Sequence, residues 1–413
     1  MNKTAEVEHL IYDSKYIYDQ INVKRSDGLQ ITSEELLCEY ASSGNEALIK
    51  YSEIKDAYKQ LRLMLAEHLR LDNVVFLFGN GASIYAGSRN TNQTQLLKYL
   101  NDNNYSGIAD IIKNICEKIP NSIEEQLNAL NTVFGFYSLT SDARAELVQK
   151  LLTSIKSGLL TDYVNSINYK KLYLHENMLL KLRNFDCLHK TRLYTLNYDL
   201  AFEYTMDKLG IEYRDGFTGF VNRTFDARTL QNKTVTSLIK MHGSVNWVTE
   251  HDTIKEFQPK FIEDEDSVLF SMDDAKQKSV LIYPSSNKLY QTYASPYSEL
   301  MRNLLDQLQT GRNVVIVLGY KYGDEHINDI LLKSLRNPND VFYFFYFDQQ
   351  TSNDFINIVK HYSNSMPNIN ILEGKFLADF YNFVKYMLPA KPEKTDQEKA
   401  IEYMKKVFTN NVE

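Results

Sequence analysis

Five short segments combine residues that can do chemistry with the glycines and strand ends that would expose them. Met241-His242-Gly243-Ser244 follows an apolar run. A histidine before a glycine at a strand end projects its ring into a cleft, and its ordinary pKa near ~6.5 suits it to take a proton at neutral pH. A single histidine is more often structural; His326, near Asp324 at an expected helix start, reads as a cap or a polar surface group. Thr195-Leu196-Asn197-Tyr198-Asp199 also closes an apolar run. Asn197 offers a donor and an acceptor to a ribose hydroxyl or a water, and Asp199 accepts from neighbouring hydroxyls or N–H groups. Either residue serves equally well as a helix N-cap where a strand hands over to a helix.

Gly79-Asn80-Gly81-Ala82-Ser83 is the third segment. Two glycines let the backbone approach a pyrophosphate, and a following helix would offer unpaired N–H groups. Position 84 is Ile, so the full G-x-G-x-x-G pattern is not met, and a tight turn without function explains the segment as well. Leu318-Gly319-Tyr320, with Asp324 beyond it, and Asp348 after an aromatic run complete the set. An acid at the position of Asp348 accepts from a ribose diol. Each has an alternative as turn or cap. Their common feature is position, because all fall at one expected edge of a sheet.

The elements that must hold these residues are legible as apolar runs. Val74 to Phe78, Arg192 to Leu196, Ser237 to Met241, Ser279 to Tyr283, Asn313 to Leu318, Val341 to Phe347 and Ile369 to Leu372 read as strands. Continuous apolar strands alternating with helical patterns, such as Tyr297 to Leu308 and the stretch from Asp324, predict a largely parallel sheet. The fold class expected is α/β, a Rossmann-like sheet with a helical insertion and extra terminal helices.

Residues 1–70 read as a helical extension, with Thr32 and Glu35 as a capping box and with Leu61, Leu65 and Leu69 at helical spacing. Residues 71–389 form the expected main domain, with a helical insertion over about 94–190 that covers the sheet. The domain closes with a helix from Phe376 to Met387, and 390–413 reads as a linker and a last helix capped by Thr395 and Glu398.

Bulk properties bound the function. The 413 residues are 43% hydrophobic and 24% charged, an ordinary globular balance. A net charge of -7 argues against direct nucleic-acid binding. The opening MNKTAEVEHL lacks an apolar leader, and apolar runs fall short of the ~20 residues that span a bilayer, so no membrane association and a cytoplasmic setting are expected. Cys38, Cys116 and Cys187 are too few for a four-cysteine zinc site.

In this order, Gly79-x-Gly81-Ala82-Ser83, Thr195-x-Asn197-x-Asp199 and His242-Gly243 resemble the sirtuin signature G-A-G-x-S, T-Q-N-I-D and H-G. The variants T-L-N-Y-D, H-G-S and L-G-Y-x-x-x-D are similar to those of sirtuin-like proteins in bacterial anti-phage defence. The resemblance covers roughly residues 70–390. It implies that NAD lies between a Rossmann-like sheet and a helical domain, with Asn197 and His242 as the catalytic pair. It further implies pyrophosphate binding at Gly79, Gly81, Ala82 and Ser83 and adenosine-side contacts near Gly319 and Asp348, with Asp199 counted among the cofactor-binding residues. Two departures stand out: the zinc module of deacylating sirtuins cannot form, and Gly87-Ser88-Arg89-Asn90 replaces the family's G-I-P-D-F-R.

The expectation that follows is an NAD+ glycohydrolase that depletes NAD in defence, with no zinc. The resemblance also implies a homo-oligomer and a HerA-type ATPase partner. An NAD-dependent deacylase, and a non-catalytic NAD-binding assembly or sensor subunit, are the alternatives.

Overall fold

The longest apolar runs form strands buried over all or all but the first of their residues, which requires cover on both faces of the sheet they build. In a computed structural model of the protein, residues 21–24, 30–33, 61–88, 96–119, 123–231, 234–251, 253–270, 279–281, 295–347, 352–374 and 377–391 are described. The strands are β1 (Ile21–Lys24), β2 (Gln30–Ser33), β3 (Asn73–Phe78), β4 (Thr191–Thr195), β5 (Tyr213–Arg214), β6 (Phe217–Thr218), β7 (Arg223–Phe225) and β8 (Thr236–Lys240). They continue with β9 (Gly243–Glu250), β10 (Thr253–Glu256), β11 (Phe261–Glu263), β12 (Val268–Phe270), β13 (Ser279–Leu281), β14 (Asn313–Leu318), β15 (Val341–Tyr346) and β16 (Ile369–Glu373).

Nine of them make one sheet in the order β2-β1-β16-β15-β14-β3-β4-β8-β5. Pairing is parallel from β16 to β5, and β1 and β2 add antiparallel to the β16 edge. From β3 the chain runs to β4 and β8 on one side and returns to β14, β15 and β16 on the other. The switch point therefore lies between β3 and β14, where an open sheet leaves a crevice outside the carboxyl ends of its strands. β6, β7, β9, β10 and β13 form a second, antiparallel sheet, and β11 pairs with β12.

Alternation along the strands divides the core. Val74, Phe76, Phe78, Ile316 and Leu318 face one side, and Val75, Leu77, Val315 and Val317 the other. The helices are α1 (61–68), α2 (Ala109–Lys118), α3 (Ile123–Leu139), α4 (Arg144–Ser166), α5 (Tyr173–Asn184), α6 (Ala201–Lys208), α7 (Tyr297–Gln309), α8 (Glu325–Ser334) and α9 (Asp354–Ser363). The first face is covered by α1, α5, α6 and the segment Phe380–Met387, the second by α7, α8, α9 and Trp247. The α/β class with a mostly parallel sheet and helical additions is thus the observed one.

Several expectations change. Part of the stretch read as a helical extension forms β1 and β2, and Thr32 lies inside β2 rather than at a helix cap. Four-residue strands give too short a pattern to compete with helical spacing. Within the helical insertion, α5 and the segment after it pack on the sheet through Leu174, Met178, Leu182 and Leu188, whereas the described side chains of α2, α3 and α4 close around a core of Ile112, Cys116, Leu130, Val148, Leu151 and Ile155. The run from Ser279 is a strand of the antiparallel sheet. The helix expected over Phe376 to Met387 begins at Phe380 and widens to a π turn over Phe383–Met387. Glu35, Phe376 and the linker and helix beyond 391 lie outside the described residues.

Candidate functional site

His242 stands two residues beyond the end of β8, whose five residues are all buried. Gly243 takes φ of +91°, a left-handed conformation that turns the chain at His242 into β9. His242 is 7% exposed, and its Nε2 lies 3.0 Å from Oδ2 of Asp324, itself buried. Asp324 is the N-cap of α8, and its Oδ1 accepts from the N–H groups of His326 at 3.1 Å and Ile327 at 3.5 Å. Its backbone is held too: the Tyr320 hydroxyl accepts from Asp324 N at 2.9 Å. One carboxylate therefore divides its two oxygens between a helix end and a histidine.

Asn197 follows β4, the neighbour of β8. Its N–H donates to Thr195 Oγ1 at 3.1 Å, and its Nδ2 donates to Ser83 Oγ at 3.0 Å, with both side chains buried. The strand ladder is prolonged past the strands by Leu196 N to the Phe78 carbonyl at 2.9 Å and Met241 N to the Thr195 carbonyl at 2.8 Å. These bonds fix the ends of β3, β4 and β8 against each other. Asp199 Oδ1 accepts from Ala201 N at 3.0 Å, a turn one residue ahead of the N-cap position of α6, which is Leu200, so this bond alone provides neither the cap nor a ligand role.

The turn after β3 differs from the expectation of a long helix. It continues as two single 3₁₀ turns, Asn80–Ala82 and Ile84–Ala86, which offer no extended dipole. Its amides are in use: Gly79 N donates to the Leu318 carbonyl, Gly81 N to that of Gly319, Ala82 N to that of Gly79 and Ser83 N to that of Asn80. The glycines are set by packing across the switch point. A Cβ on Gly79 would lie 2.5 Å from the Gly319 oxygen, and one on Gly81 2.6 Å from the Gly319 Cα. Gly319 has φ of +68°, and a Cβ there would meet Ala82 N at 2.7 Å. Two glycine turns seat face to face, with or without a phosphate above them.

Gly79, Gly81, Ala82, Ser83, Asn197, Asp199, His242 and Gly319 thus all follow the carboxyl ends of parallel strands, and direct bonds join Asn197 to Ser83. Asp348 lies outside the described residues. Two further groups belong to the site. Asp324 was visible as a helix start and as the last residue of L-G-Y-x-x-x-D, but its bond to His242 was not, because that bond joins segments far apart in sequence. The second is Lys240, whose Nζ donates to the Tyr198 carbonyl at 3.1 Å and to that of Asp199, and pairs with Glu203 at 3.1 Å. Burial pushes the Glu203 carboxyl up to about 7, against the pull of Lys240. The signal for Lys240 was in the sequence as a single charge at the end of an apolar run. Among the described residues, no group of three or more His, Cys, Asp or Glu side chains gathers as a metal site, and Cys116 and Cys187 are buried free thiols. Among them also, no helix is long and apolar enough to cross a membrane.

Residues 191–365 match the model of the SIR2-like domain family, a span that contains Asn197, His242, Gly319 and Asp324. No curated protein matches the sequence. Among solved structures, one on sirtuin substrate affinity is similar at 10% identity and a TM-score of 0.35, covering 78% of this chain and 94% of that one. Another, of a Sir2 mutant with a p53 peptide and NAD, has 10% identity and a TM-score of 0.34, covering 79% of this chain and 94% of the other. At these values neither carries an argument about individual residues.

Proposed function

We propose that this chain is an NAD+ glycohydrolase that breaks the nicotinamide–ribose bond with water as acceptor, releasing nicotinamide, ADP-ribose and a proton. The observation that carries this reading is the pair Asn197 and His242 at the ends of adjacent strands, each fixed by a second buried side chain, Ser83 and Asp324. Bond cleavage passes through an oxocarbenium-like centre, which needs a ribose held in place and a water positioned on the opposite face. Asn197 orients the ribose or that water. His242 takes the proton as the water adds, and with Nε2 engaged by Asp324 the base is Nδ1. The resulting imidazolium is stabilised by the Asp324 carboxylate. Because the amides of Gly79, Gly81, Ala82 and Ser83 are already bonded, the glycine turn contributes shape beside the pyrophosphate rather than a row of donors.

A second reading, an NAD-dependent protein deacylase, has one specific feature in its favour. An antiparallel sheet starts at Gly243 beside His242, and its edge strand β6 leads into a turn with Phe220 and Val221 exposed. An extended peptide adds to such an edge by β-augmentation. The match to the SIR2-like domain family fits either acceptor.

The test incubates purified protein with NAD+, with and without an acyl-lysine peptide, and identifies the products for wild type, Asn197→Ala and His242→Ala. Nicotinamide and ADP-ribose without peptide are expected, with loss of about 100-fold or more in either variant and unchanged thermal unfolding. Nicotinamide release only with peptide selects the deacylase, and NAD+ binding without turnover selects a non-catalytic assembly or sensor subunit. The motifs T-L-N-Y-D, H-G-S and L-G-Y-x-x-x-D further support a role as the NAD-depleting effector of anti-phage defence, as a homo-oligomer with a HerA-type ATPase. Co-purification with such an ATPase, and loss of cellular NAD+ on infection, test that extension.

A further inference from the structure

Lys240 closes β8 two residues before His242 and is 3% exposed. An ammonium so deeply buried needs compensation, and Glu203, in the first turn of α6, supplies it. The remaining Nζ contacts are to main-chain carbonyls, those of Tyr198 and Asp199. The Tyr198 carbonyl also accepts from Val245 N at 3.0 Å, so one peptide group is held at once by β8 and β9. The β4–β8 ladder is complete without this lysine's side chain, since Thr195 already pairs with Lys240 through the backbone. What the side chain fixes is the loop beyond the ladder, the one that carries Asn197.

We infer that Lys240, with Glu203 as its counter-ion, is a positioning residue for the Asn197 loop. It anchors the two carbonyls that follow Asn197 so that the amide is presented to the ligand edge in the orientation that meets Ser83. This rests on the NAD+ reading for its kinetic readout alone. The loop anchoring is testable without any substrate.

The decisive protein is the double variant Lys240→Met with Glu203→Leu, which removes both buried charges together and leaves the loop carbonyls without their donor. The single variants strand one charge and are expected to unfold at lower temperature, with the double variant recovering toward wild type. In the double variant, amide hydrogen exchange over 196–200 should quicken by about tenfold or more. NAD+ turnover should lose about tenfold or more in kcat with KM within about threefold. A folded double variant with wild-type exchange in this loop overturns the inference whatever the enzyme does, as does wild-type kcat. Should the wild type itself fail to consume NAD+, the functional reading falls, and the exchange experiment still decides the anchoring.

Discussion

At the scale of single residues, Asp324 performs two tasks with one carboxylate, and substitutions separate them. Oδ1 caps α8, and Oδ2 holds His242. Asparagine caps a helix about as well as aspartate, so Asp324→Asn should unfold within about 1 kcal/mol of wild type in urea. It removes the negative charge that stabilises a protonated imidazole, so kcat for NAD+ should fall by about tenfold or more. Asp324→Ala should show that kinetic loss and a further destabilisation of about 1 kcal/mol from the lost cap. Wild-type turnover in Asp324→Asn would leave the aspartate as a cap alone. This double role was hidden in the sequence. His242 and Asn197 are readable because a polar residue beside a glycine or a cap punctuates the end of an apolar run, whereas the partner that orients His242 arrives from the helix start after β14, three strands away in the sheet.

At the scale of elements, the site depends on two glycine turns that meet across the switch point. Gly319→Ala places a side chain in a left-handed conformation and drives its Cβ against Ala82 N. The expected cost is roughly 1–3 kcal/mol, read from urea unfolding. A loss under about 0.5 kcal/mol would mean that the turns have room to part. The glycines were legible as residues needing close approach, but the approaching group is a second turn of the same chain. Strands β3, β14 and β15 were legible because a strand buried on both faces is a near-continuous apolar run, as in Val74–Phe78 and Val314–Leu318, and β4, β8 and β16 as shorter apolar stretches between polar ends. The antiparallel sheet was not. Its strands run from two to eight residues, and Gly243–Glu250 is buried over its first five positions without the alternation that marks a one-sided strand.

At the scale of the whole molecule, stability and pH are linked through groups buried on the face of the sheet under α5 and α6. His175 packs against Phe202 and Phe380, with neither ring nitrogen hydrogen-bonded, and burial pushes its pKa down to about 4. The unfolded chain takes up a proton at the ordinary histidine value, while the folded chain refuses it until about 4. Stability is therefore lost as pH falls from about 6.5 toward 4. Glu203 and Asp379 act with the opposite sign, because burial raises them to about 7 and about 6. Folded, they keep protons that the unfolded chain releases, so they remove stability as pH rises from about 4 toward 7. The total pH dependence is a difference of these opposed slopes, and only a variant isolates one of them. In His175→Phe the ring contacts are kept and the titration is removed. The stability of the variant relative to wild type should then increase as pH falls from about 6.5 to about 4, by up to about 3 kcal/mol, in urea unfolding across that range. A difference that stays constant with pH would show that His175 is protonated in the fold as readily as in the open chain, and hence that water reaches the core between α5 and the sheet.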